Sequence, residues 1–156
     1  MIFPIGTFNT HQFTTGGHND YFLIPNVAAT YLTRPNVLGD GLEFSARLFL
    51  DHALENPQTH YRSGDVLDLD YAVSERVGRL QYGAAGFAAS QLGRDVQLGQ
   101  TVAPHGRYLV SIKLGPVVAY DLPGLGATVK AKLTLPIYAR NTILGPQFVF
   151  AISFGL

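Results

Sequence analysis

The chain alternates between apolar and polar positions over most of its length. The clearest case is residues 145–156, in which Phe148, Phe150, Ile152 and Phe154 fall on one side and smaller or polar residues on the other. A period of two places successive side chains on opposite faces of a β-strand. The pattern therefore predicts a strand that runs to the end of the chain.

Six further strands are predicted from the same alternation and from the turn signals between them. They cover residues 21–33, 41–53, 65–76, 79–91, 107–121 and 127–139. A short strand within 3–13 brings the expected number to eight. We predict two regions: residues 1–19, an N-terminal strand or loop, and residues 20–156, a β-barrel domain.

The predicted strands are long for a soluble sheet, in which about five or six residues are typical, and they fit the roughly 9–11 residues that cross a bilayer. Short turns at Val77-Gly78 and Pro123-Gly124 alternate with polar loops at 54–64, 92–106 and 139–146. Outer-membrane barrels have short periplasmic turns and long extracellular loops. The fold class predicted is therefore all-β, an antiparallel up-and-down transmembrane barrel with its short turns on the periplasmic side.

Charged residues of both signs oppose the apolar rows. The predicted lumen-lining residues are Glu43, Arg47, Asp51, Asp68, Asp70, Lys113, Lys130 and Lys132. A membrane barrel turns its apolar rows towards lipid, whereas a soluble barrel turns them inwards. Periodicity does not distinguish the two. We therefore expect Phe148, Phe150, Ile152 and Phe154 to be exposed, lipid-facing residues in a membrane barrel and core residues in a soluble one.

Composition narrows the classes of protein to which this chain can belong. The chain is 47% hydrophobic, but it has no run of about 18 apolar residues, so a transmembrane helix is excluded. Its 11 basic and 11 acidic residues balance, so we predict no nucleic-acid partner. Cysteine is absent, which excludes disulfides, thiol catalysis and Cys-based metal sites.

The sequence contains candidate residues for a metal site and for a catalytic Ser/His pair, but the motifs that such sites need are missing. The group Asp65, Asp68 and Asp70 lacks the glycine turn and terminal Glu of an EF-hand, and we expect these carboxylates to face Arg47 or lysines instead. The histidines lie in or near loops or strand ends: His11, His18, His52, His60 and His105. A pair of His52 or His60 with Ser63 is conceivable, but the Gly-x-Ser-x-Gly motif is missing. We predict no catalytic residue, metal or cofactor, and no enzyme.

Several segments together resemble a known family. They are Gly-Leu-Glu-Phe-Ser-Ala-Arg-Leu (41–48), Glu-Asn-Pro-Gln-Thr-His-Tyr-Arg-Ser-Gly-Asp (55–65), Leu-Asp-Leu-Asp-Tyr-Ala-Val (67–73), Leu-Gly-Pro-Val-Val-Ala-Tyr-Asp (114–121) and the final strand. Over about residues 20–156 the chain resembles the C-terminal part of the family named for the meta-pathway of phenol degradation. Its members are outer-membrane β-barrels grouped with transporters of hydrophobic or aromatic compounds, and no catalytic residues carry over.

The resemblance implies a location in the Gram-negative outer membrane, with the lipid bilayer and a small hydrophobic or aromatic ligand as partners. Family members are longer and carry a signal peptide, which Met1-Ile2-Phe3-Pro4 does not resemble. We therefore expect an N-terminally shortened or partial chain. Two alternatives to a transport barrel stay open: a structural barrel whose lumen is plugged by ion pairs, and a soluble lipocalin-like carrier. A lipid-modifying enzyme ranks last.

Overall fold

The computed structural model describes residues 21–155. Strands dominate this range. Their bounds are β1 Phe22–Leu23, β2 Asn26–Leu32, β3 Gly41–Ala53, β4 Tyr61–Arg62, β5 Val66–Val77, β6 Leu80–Gln91, β7 Val96–Gln97, β8 Gln100–Thr101, β9 Val110–Leu122, β10 Ala127–Arg140 and β11 Gln147–Phe154. The helical structure in this range is a single 3₁₀ turn, Pro123–Leu125. None of its helices is long and apolar enough to cross a membrane.

The main sheet is an antiparallel meander of eight strands that curls into a half-barrel. Its order is β1-β3-β5-β6-β9-β10-β11. β2 also pairs with β3, on the same side as β1, so that β1 and β2 lie one after the other along that edge of β3. The predicted all-β, antiparallel, up-and-down class is confirmed. The expected strand within 3–13 lies outside the described residues.

The two faces of the sheet differ in chemistry. The rows that oppose the apolar rows contribute residues from β2, β3, β5, β6, β10 and β11 to one common cavity, which identifies their face as concave. The opposite, convex face carries the apolar rows. On β11, Phe148, Phe150, Ile152 and Phe154 are 68%, 58%, 52% and 69% exposed. The row lies on the outside of the sheet, which is the arrangement expected of a membrane barrel.

Glycine allows the sheet to curl at two concave positions. A Cβ on Gly115 of β9 would collide with the carbonyl oxygen of Leu133 on β10, and one on Gly83 of β6 would collide with the backbone of β5. A register shift between Pro136 and Tyr138 adds an irregularity to β10. Missing side chains and bulges are the features that bend sheets.

Most predicted strands have their predicted bounds within one to three residues, and those of β3 coincide. One prediction is wrong: residues 21–33 are not one strand, because the pairing is interrupted at Ile24-Pro25. Proline has no N–H to donate to a neighbouring strand. The turn predicted at Val77-Gly78 lies at Gly78-Arg79, where Gly78 adopts φ 59°.

The long loops contain structure that the sequence analysis did not predict. Strands β4, β7 and β8 form a separate three-stranded sheet from the segments 54–65 and 92–109. Both segments follow strands that end at the same rim of the half-barrel. The short turns 78–79 and 123–126 lie at the opposite rim, so the predicted alternation of long and short connections is present.

Candidate functional site

The concave face holds a cavity of about 380 Å³ that is open to its surroundings. Its wall includes residues from β2 at one edge of the sheet and from β11 at the other. Strands at opposite edges of a sheet can line the same cavity only if the sheet is strongly curled. The cavity is therefore a product of the whole meander.

Four charged side chains belong to the cavity wall: Arg47, Asp70, Lys130 and Lys132. Arg47 donates from Nε and Nη2 to Oδ1 of Asn26, at 3.1 and 2.9 Å. Its guanidinium also lies 4.8 Å from the centre of the Phe49 ring. These contacts hold Arg47 against β2 and its own strand.

Asp70 and Arg47 are cross-strand neighbours, as expected. Across residues 21–155, however, no ion pair joins any two of the eight predicted lumen-lining residues. Asp68 has the side chain of Asp51, another carboxylate, beside it, and Oδ1 of Asp68 is buried without a hydrogen-bond partner. The expected pairing of Asp68 with Arg47 or a lysine is therefore wrong.

The remaining predicted lumen residues also occupy the concave face. Glu43 accepts hydrogen bonds from Oγ of Ser45 at 2.8 Å and from Nε2 of Gln81 at 3.0 Å. The Lys113 amine lies 5.6 Å from the centre of the Phe87 ring. The eight residues thus share one face, four of them at one cavity, and their role as a lumen lining stays a prediction.

Towards the rim of short turns the concave face is tied together by hydrogen bonds. Arg76 on β5 pairs with Asp121 on β9, and Thr128 on β10 donates to the same carboxylate at 2.8 Å. This network neutralises Arg76. Among the inner-face cations in the described part of the chain, Lys130 and Lys132 are left without an ion pair, a hydrogen bond or a contact with an aromatic ring.

The histidines considered as catalytic residues contact carboxylates. Nδ1 of His52 lies 2.8 Å from Asp65, and Nδ1 of His60 lies 2.8 Å from Glu55. Ser63 lies beside the Tyr61 side chain instead. His11 and His18 lie outside the described residues. In the range 21–155, no group of three His, Cys, Asp or Glu side chains is arranged to hold a metal ion.

The two long loops are joined at Asp95, which is 5% exposed. Its carboxylate accepts hydrogen bonds from the Tyr61 hydroxyl at 2.5 Å, the Gly64 backbone N–H at 2.9 Å and Nε2 of Gln91 at 2.7 Å. Burial and the hydrogen bond to Asp95 raise the pKa of Tyr61 to about 12. We call Tyr61, Gly64, Gln91 and Asp95 the loop latch.

The loop latch explains the segment 55–65, the most specific part of the family resemblance. Asn56 begins the loop by accepting hydrogen bonds from the N–H groups of Gln58 and Thr59. Gly64 packs so closely on Gly93 that a Cβ would collide with it. The sequence analysis missed this role because it left the motif without a partner. Asp95 lies about 30 residues further along the chain, and no local pattern in the sequence links it to the motif.

The comparisons with known proteins identify a family. The profile of the family described as "Putative MetA-pathway of phenol degradation" matches residues 1–152, which includes residues before the segments that carry the resemblance. Searches of the curated proteins and of the solved structures return no match. Because the profile covers nearly the whole chain, this protein belongs to the phenol-degradation MetA-pathway family.

Proposed function

We propose that this protein is an outer-membrane β-barrel that admits small hydrophobic or aromatic compounds through the concave side of its sheet. The observation that carries the proposal is the distribution of side chains over the two faces. Apolar rows cover the convex face, where they are exposed, and charged and small residues cover the concave face. In water, exposed apolar area costs about 25 cal/mol per Å², whereas lipid removes that cost.

Two alternatives are less well supported. A lipocalin-like carrier keeps its apolar rows inside the barrel to hold its ligand, and here those rows lie outside. A plugged structural barrel needs a lumen filled by paired charges. The unpaired lysines and the cavity of about 380 Å³ favour an open path instead.

The proposal also covers the partners of the protein and its chemistry. The partners are the lipid bilayer and a small ligand. No enzymatic activity is proposed. The family's printed association with phenol degradation favours aromatic ligands.

Uptake of a hydrophobic probe tests this function. The protein is reconstituted into vesicles with lipopolysaccharide in the outer leaflet, which slows the entry of hydrophobic compounds. The fluorescence of N-phenyl-1-naphthylamine reports its entry. We expect faster entry than into protein-free vesicles, and slower entry when Ala72→Trp fills the concave cavity. The matched variant Ala131→Trp, on the convex face, keeps the fast entry. Equal rates with and without protein contradict the proposal.

A further inference from the structure

We infer that the concave cavity selects small aromatic compounds that carry a negative charge, such as aromatic carboxylates, over neutral ones of the same size. This inference rests on the proposed function and names the class of compound that the site prefers. It is carried by the charges of the cavity wall, by their surroundings and by the small residues between them.

The cavity wall carries an excess of positive charge. Arg47, Lys130 and Lys132 contribute three cations, against the single carboxylate of Asp70. The whole chain, in contrast, is electrically balanced. The excess is therefore a local property of this site, and it favours an anion from solution.

The two lysines have apolar neighbours on both adjacent strands. Lys130 lies between Ala119 of β9 and Ala151 of β11, and Lys132 lies between Val117 and Val149 of the same strands. Neither amine has a hydrogen-bond or ion-pair partner within residues 21–155. The two ammonium groups stand two residues apart on one strand, where like charges repel each other, and neither is neutralised by an ion pair. A bound anion relieves that repulsion.

The rest of the wall leaves room for an uncharged group. Between the cations it presents mainly small apolar side chains: Ala28, Ala72, Ala85, Val149 and Ala151. Alanine leaves room and offers no hydrogen bond. The volume of about 380 Å³ lies at the lower end of the range of about 300–1,000 Å³ found for small-molecule sites. One aromatic ring with one anionic substituent suits both the size and the chemistry.

Fluorine NMR of three probes in detergent micelles tests the inference. The probes are 4-fluorobenzoate, its neutral analogue 4-fluorobenzyl alcohol, and trifluoroacetate, an anion without a ring. We expect the protein to bind 4-fluorobenzoate at least about tenfold more tightly than either other probe, because a charge-assisted hydrogen bond adds that much affinity. The double variant K130Q/K132Q loses this preference, whereas K130R/K132R keeps it.

Matched controls separate the cavity from the overall charge. R34Q/R140Q removes two cations from exposed positions outside the cavity and keeps the preference for 4-fluorobenzoate. If 4-fluorobenzoate binds no better than the alcohol, or if R34Q/R140Q abolishes the preference equally, the inference is wrong. Fast entry of N-phenyl-1-naphthylamine without a preference for 4-fluorobenzoate refutes the inference alone. Selective binding of 4-fluorobenzoate without such entry refutes the proposed function instead.

Discussion

Asp95 shows how one buried carboxylate organises two distant loops. Its hydrogen-bond donors Tyr61 and Gly64 lie 34 and 31 residues away along the chain. A buried charge requires such partners, because leaving it without hydrogen bonds costs several kcal/mol, on the order of the stability of a domain. From sequence, an aspartate in a polar stretch is indistinguishable from a solvated loop residue. The partners follow from the pairing of β4 with β7, which local pattern does not reveal.

At the same scale, the loop latch predicts a dependence on alkaline pH. The pKa of Tyr61 rises from 10.0 to about 12, so the folded chain keeps the hydroxyl proton that the unfolded chain loses first. The hydrogen bond to Asp95 therefore stabilises the loops fully below pH 10, and this contribution is lost as the pH rises to about 12. Phenolate absorbance at 295 nm should show one tyrosine that titrates later than an ordinary tyrosine.

The variant Tyr61→Phe identifies that tyrosine. Its titration should lack the late component, while the other tyrosines titrate as before. If the wild-type protein and Tyr61→Phe show the same late component, then Tyr61 is not the residue whose proton is retained, and the loop latch does not protect its hydroxyl.

Among the elements, the long strands were predictable and the short ones were not. β3 and β10 alternate over 13 and 14 residues, so their period is readable without knowledge of neighbours. β4, β7 and β8 have two residues each, too few to show any period. They pair with one another across two loops that are far apart in the sequence, and the buried Asp95 joins these loops. The break at Ile24-Pro25 follows from the proline, which cannot donate a hydrogen bond to a neighbouring strand.

The curl of the sheet leads to a prediction about Gly115. Gly115→Ala introduces a Cβ that collides with the Leu133 carbonyl, so we expect a loss of about 1–3 kcal/mol in the free energy of unfolding. Urea unfolding in detergent micelles, followed by circular dichroism, measures this loss. Gly124→Ala is the control, because its Cβ meets no atom within 4 Å, and its effect should stay within about 0.5 kcal/mol. Equal effects of the two substitutions contradict this role of Gly115.

At the scale of the whole molecule, the sequence predicts which residues share a face of the sheet but not which face is on the outside. Alternation placed Lys130 and Lys132 opposite the apolar row of β10 without stating which row is outside. The curl decides this, because it brings β2 and β11 to one cavity and turns Phe148 and Phe154 outwards. The positive excess at that cavity was unpredictable for the same reason: it arises from strands that are not adjacent in the sheet.

The central claim is that the convex face contacts lipid, and spin labelling of β11 tests it most directly. The chain has no cysteine, so single cysteines at positions 147–154 can each carry a nitroxide. In lipid vesicles we expect the labels at Phe148, Phe150, Ile152 and Phe154 to be reached by oxygen, which concentrates in the bilayer. Labels at Val149, Ala151 and Ser153 should be reached instead by a water-soluble nickel chelate. Access of the nickel chelate to both rows alike, or shielding of the phenylalanine row from oxygen, contradicts the account.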